Sequence, residues 1–181
     1  MLKNKILKYS ITYGAIAAAV CIIIALIQYY GLDKSPFGRY KIPAFGINII
    51  FVIVAVWVYR ANNLGVLTFT EGFSVGFMTN LIAALITGIV YFIFIQLIDK
   101  PYGNNHAIML WVQENIKGIE KIKETHVKNF GLQEYEILLQ QAKEVPTALY
   151  VFLDEVVKKQ LVIVAITIIS IIFRRHTFTI S

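Results

Sequence analysis

The ionisable residues most capable of chemistry in this chain stand just ahead of its final apolar run: Asp154, Glu155, Lys158 and Lys159. Asp154 precedes Lys158 by four and Glu155 precedes Lys159 by four, an acid-first spacing that pairs both couples along a helix. Two such carboxylates can act as general acids or ligate a cation. Catalysis, however, asks for a nucleophile with its base, or a histidine within reach, and the neighbourhood offers neither. His106, His126 and His176 show no ligand spacing, and the lone Cys21 has no partner for an intrachain disulfide. No catalytic residue, cofactor or metal is expected. The four residues are read as self-neutralising pairs in the headgroup zone of a membrane helix. Arg60 and Glu71, which flank the second and third apolar runs, are read as a further interfacial pair, with a lipid headgroup or protein contact as the alternative.

A second pattern concerns packing. Gly72, Gly76, Asn80, Ala84 and Gly88 recur at every fourth residue. Small side chains on one helical face let another helix approach closely, and Asn80 can hydrogen-bond across the contact, with Asn48 as its natural partner. The stripe is expected to form a helix–helix seam, within one bundle or between subunits.

The elements that carry these residues are apolar and long. Four runs, about residues 9–30, 42–59, 73–98 and 156–173, are poor in charge. A hydrocarbon core of about 30 Å needs about 20 apolar helical residues. Only Leu161–Phe173 of the last run is strictly apolar, so its helix must begin earlier, near Pro146. Apolar residues make up 57% of the chain, and the runs lack the polar face of a soluble helix. Barrel-type alternation is absent, which leaves helices as the only spanning structure. The net charge of +6 sits at segment ends, at Lys3, Lys5 and Lys8, Lys34, Arg39 and Lys41, and Arg174 and Arg175. That placement suits membrane anchors rather than a nucleic-acid surface. The first run follows a basic stretch like a signal peptide, but its small-residue sites lie inside the apolar stretch, so an uncleaved span is expected. Tyr29, Tyr30, Trp57 and Tyr59 are read as interfacial aromatics.

Residues 102–145 form the main polar segment. Ile108, Val112, Ile116, Ile119, Ile122, Val127 and Phe130 make an apolar stripe spaced by threes, fours and one five. A helix ending at Gly131 and a second helix over Leu132–Glu144 are predicted, an amphipathic hairpin that rests on the membrane or binds a partner. The expected fold is therefore all-α: a single integral membrane domain over residues 1–181, four transmembrane helices with the hairpin between helices 3 and 4.

The segments Leu7-Lys8-Tyr9 and Tyr59-Arg60, the run from Leu67 to Phe77, the charged hairpin before Pro146 and the basic Arg174-Arg175 resemble the four-span proteins of domain-of-unknown-function family 4199. Ser10 and the doubled Lys158-Lys159 depart from that pattern. The resemblance implies a bacterial cytoplasmic (inner) membrane protein with both termini inside and the hairpin outside. It implies no activity and no catalytic residues.

The function expected is a noncatalytic assembly or interaction module in contact with membrane lipids, associating with itself or with another membrane protein. The alternative is an oligomeric pathway for a small solute or ion, lined by Asn48, Thr79, Asn80 and Thr87. A membrane enzyme comes third.

Overall fold

The computed structural model describes residues 2–38, 41–99 and 105–175, with side chains in the first helix from residue 5 onward. Arg39, His176, residues 102–104 of the hairpin range and the side chain of Lys3 lie outside the described residues. Helix α1 (Leu2–Leu26) runs into a π-helical turn at Ile27–Gly31, followed by α2 (Ile42–Ala61) and α3 (Phe69–Ile93), which continues as a π-helical turn over Phe94–Asp99. Helices α4 (His106–Lys121), α5 (Lys123–Phe130) and α6 (Leu132–Lys143) follow. Helix α7 (Ala148–Lys159) then passes through a 3₁₀ turn at Gln160–Val162 into α8 (Ile163–Phe173). Among the described residues the only extended pairing is an antiparallel bridge between Leu67 and Arg175.

Among the described residues, four stretches are long and apolar enough to cross a bilayer: Lys5–Gly31, Ile42–Ala61, Phe69–Asp99 and Ala148–Phe173. The protein is an all-α, multi-pass membrane bundle. The fourth stretch starts two residues past Pro146, because Thr147 caps it: its Oγ1 accepts the Tyr150 N–H at 3.2 Å. The capping at α3 is reciprocal. Thr68 Oγ1 accepts the Glu71 N–H at 3.3 Å while Glu71 Oε2 accepts the Thr68 N–H at 2.9 Å.

The chain divides into two compact units. The first comprises Met1–Ile24, Ile42–Val90 and Phe152–Ser181. Where α1 meets α3 the contact is built from small and polar residues, and many large aliphatic ones stand on the exterior. Ser10, Ala17, Ala18 and Cys21 of α1 are buried, as are Ala83 and Ala84 of α3, whereas Ile11, Ile16, Ile23, Ile50, Ile168, Ile171 and Ile172 stand exposed. A water-soluble domain would place these isoleucines inside. Lipid accepts them outside, so helix association falls to close packing and interhelical hydrogen bonds. Gly14 shows how close: a Cβ added there would lie 2.8 Å from the Thr79 backbone oxygen of α3. One turn earlier Ser10 Oγ donates to the Val75 carbonyl at 3.2 Å. A larger-residue cluster of Val52, Val56, Tyr59, Leu67, Val75, Val162, Ile166 and Ile169 joins α2, α3 and α8.

The second unit comprises Ala25–Lys41 and Tyr91–Val151. Phe37, Tyr91, Phe94, Ile108, Trp111, Val112 and Val151 form its core. Asn105, in a left-handed conformation, supplies no side-chain cap to α4. The buried Asp99 carboxylate takes that role, accepting the Ala107 N–H at 3.1 Å and the Tyr29 hydroxyl at 2.7 Å. The single helix expected up to Phe130 is two. A turn at Ile122 separates α4 from α5, at the start of the five-residue step to Val127, where the apolar stripe loses helical phase. Gly131, at φ +92, ends α5 as predicted, and both α4 and α5 pack on α6.

Candidate functional site

The stripe at every fourth residue of α3 lies against other helices of the first unit. A Cβ on Gly72 would meet Leu67 and Ser170, one on Gly76 would meet Ile166 at 2.8 Å and Val52 at 3.3 Å, and one on Gly88 would meet Phe152 at 2.9 Å. Ala84 is fully buried. The stripe thus holds α3 against α7 and α8, with α2 beside Gly76, inside a single chain.

Asn80 in the middle of this stripe does more than fill space. The Asn48 side-chain amide of α2 donates to Asn80 Oδ1. Asn80 Nδ2 in turn donates to the Lys159 carbonyl at 3.1 Å and approaches Gln160 Oε1 at 3.4 Å. The Lys159 carbonyl belongs to the point where α7 tightens into the 3₁₀ turn. Asn80 gives it a partner where the regular helical ladder is interrupted. A break in a spanning helix is tolerated only where such polar groups are satisfied inside the protein.

Lys159 itself is enclosed. Its side chain is 1% exposed, and Nζ lies 2.8 Å from Glu155 Oε1, whose side chain is 3% exposed. Nζ also donates to Thr87 Oγ1 at 3.2 Å, and that hydroxyl donates to the Ala83 carbonyl at 2.7 Å. The neighbouring pair behaves differently: Lys158 Nζ reaches Asp154 Oδ1 at 2.5 Å with the lysine side chain 53% exposed. Of the four residues expected at a wet helix end, Lys158 faces outward, whereas Glu155 and Lys159 face the bundle interior. The phase of the helix explains it. Glu155, Lys159, Val162, Ile166 and Ile169 follow one another by threes and fours on the buried side. That stripe, extended backward from the apolar run, was the signal in the sequence for a buried pair.

Asn48, Asn80, Thr87, Glu155 and Lys159 therefore make one buried polar centre shared by α2, α3 and α7, with Cys21 of α1 in electrostatic range of the pair. Burying two ions costs several kcal/mol each, offset only by close geometry and further hydrogen bonds. Ionisable groups within spanning helices are costly and are usually tied to function. One acceptor is unanswered: Asn48 Oδ1 is buried with no hydrogen-bond partner among the described residues. The Lys159 ammonium joins the Glu155 carboxylate to the Thr87 hydroxyl, while the Asn48 and Asn80 amides gather at the Lys159 carbonyl. Groups of these types can bind a proton or a cation.

The remaining predicted residues are placed apart. Arg60 Nε donates to the Gly65 carbonyl at 3.2 Å, while Glu71 takes the Thr68 hydroxyl at 2.9 Å and the Tyr59 hydroxyl at 3.0 Å, so the structure does not bring Arg60 and Glu71 together. Tyr59 is fully buried, whereas Trp57 and Tyr30 are exposed. Thr79 bonds the Val75 carbonyl of its own helix at 2.7 Å. Sequence reasoning missed the small face of α1 formed by Ser10, Gly14, Ala17, Ala18 and Cys21, whose three- and four-residue spacing was available as a signal.

On the hairpin, α5 buries no residue, and Ile122, Phe130, Leu132 and Ile137 are exposed. No group of three or more His, Cys, Asp or Glu side chains arranged for a metal ion occurs among the described residues.

A family model described as a protein of unknown function, DUF4199, matches residues 12–175. No curated protein and no solved structure matches the chain.

Proposed function

The chain belongs to the DUF4199 family, and from that footing we propose that it is a noncatalytic interaction module of the bacterial cytoplasmic membrane, docking a membrane protein or a second copy through its hairpin. The observation that carries this reading is the exposed apolar surface of the hairpin. Phe130 is 67% exposed and Leu132 54%, on helices that also carry Lys123, Glu124, Lys128, Glu134, Glu136 and Lys143. Contiguous exposed apolar residues mark contact sites on otherwise polar surfaces. The small-residue stripe of α3 is occupied within the chain, so association falls to the hairpin. Both termini are assigned to the cytoplasm and the hairpin to the opposite side.

A photo-crosslinking residue at Phe130 should capture one defined partner or multimer in membranes. Exclusively monomeric, lipid-only adducts would defeat the proposal. Side-specific labelling of cysteines at Thr125 and Asn62, in a Cys21→Ala background, checks the orientation: the two sites should react from opposite faces.

The buried polar centre favours a second reading, a pathway for a small polar solute or ion. On that reading Asn80→Leu abolishes flux through reconstituted vesicles, while the crosslink at Phe130 persists.

A further inference from the structure

We propose that the Glu155–Lys159 pair is a proton-binding site, in which uptake of a proton by Glu155 lets the Lys159 ammonium move between two sets of oxygens. The inference stands whether or not the hairpin docks a partner.

Two positions are available to the ammonium. The Lys159 backbone sits at the level of Asn80, since its carbonyl lies 3.1 Å from Asn80 Nδ2. Its Nζ nevertheless reaches Thr87, seven residues further along α3, roughly 10 Å of helix. The extended stem holds it there against the Glu155 carboxylate. Back at the level of its own backbone lie Asn48 Oδ1, buried without a donor, and Gln160 Oε1. An ammonium has three N–H groups and a flexible four-carbon stem, so it can satisfy either set.

The proton decides between them. With Glu155 ionised, charge attraction draws Lys159 toward Thr87. A proton arriving from water bonds to a Glu155 carboxylate oxygen and neutralises it; no other covalent bond forms or breaks. The ammonium loses its counter-charge but keeps its positive charge, and the unanswered Asn48 carbonyl oxygen becomes its acceptor. Further polar groups stand around the pair. On the same helix Asp154 and Lys158 are paired with each other. Helix α1 contributes the Cys21 thiol, α2 the uncharged Asn48, and α3 the uncharged Asn80 and Thr87.

Infrared difference spectra of the protein in lipid nanodiscs, taken from about pH 9 to about pH 5, test this directly. The expected result is a carboxylic-acid carbonyl band that appears as pH falls and is missing in Glu155→Gln. Asn48→Leu removes the acceptor of the protonated state, so it should move the midpoint down by about one pH unit, a tenfold weaker affinity for the proton. Lys159→Met should show the band at higher pH than the wild type, because the carboxylate has lost its counter-ion. This arm keeps the test open if Glu155→Gln fails to accumulate. The absence of any pH-dependent band in the wild type overturns the site. A midpoint unmoved by Asn48→Leu overturns the movement of the ammonium.

Discussion

Gly14→Ala is the sharpest probe of how the spanning helices are held. A Cβ at residue 14 would stand 2.8 Å from the Thr79 backbone oxygen and 2.9 Å from Ile82 Cβ. Carbon contacts relax to about 3.5–4.0 Å, so α1 must withdraw from α3 by roughly 0.6–1.1 Å. The Ser10 Oγ to Val75 carbonyl bond, now 3.2 Å, would then exceed hydrogen-bonding range. Gly46→Ala supplies the control, since nothing lies within 4 Å of a Cβ there. Both substitutions gain the same helix propensity, up to about 1 kcal/mol, so it cancels between them. The difference is the overpacking cost, about 1–3 kcal/mol. Unfolding of the purified variants in mixed detergent micelles reads it. Gly14→Ala should unfold at lower denaturant than Gly46→Ala. Equal midpoints would refute the direct backbone contact between α1 and α3.

Three further expectations follow from the geometry. Glu155→Leu and Lys159→Met should each destabilise by about 3–5 kcal/mol, because each removes the counter-charge of a buried partner, while the double variant returns close to wild type; additive losses in that cycle would show the pair is uncoupled. Thr68→Ala removes one half of the reciprocal cap on α3 and should lower stability by about 1 kcal/mol, measured by thermal unfolding in detergent, with no change if the cap is absent in solution. Asp99→Ala frees both the Tyr29 hydroxyl and the Ala107 N–H, so limited proteolysis within residues 106–143 should quicken while the spanning helices stay protected; an unchanged cleavage rate would mean Asp99 does not hold the root of α4.

The spans were legible because lipid imposes one requirement, an apolar length, and composition states it without regard to partners. The Asn48–Asn80 contact was legible for the same reason: an amide in a spanning helix has few places to go. The depth of Glu155 and Lys159 was harder to read. Local spacing shows that they pair, but whether the pair faces water or the interior depends on which side of α7 meets α3. Only the phase shared with Val162 and Ile166 carries that information. The break at Ile122 was likewise present as a five-residue step, yet a single irregular interval does not say whether a helix bends or stops. Glu71 was placed with Arg60 by proximity along the chain. Its partners, Tyr59 and Thr68, follow from the cap geometry instead.

The shared surface of α3, α7 and α8 bears on how the molecule comes to exist at all. During synthesis α3 enters the bilayer before the whole hairpin and the fourth span have been made. Through that interval Gly72, Gly76 and Gly88 lack Ser170, Ile166 and Phe152, and Asn80 lacks the carbonyl it later satisfies. The nascent three-helix form is therefore an open clasp, dependent on the insertion machinery or on Asn48 to shelter its amide from hydrocarbon. Closure waits for Gln160–Val162 to arrive, so a ribosome pausing along residues 105–145 would lengthen the time during which quality-control proteases meet an unfinished bundle.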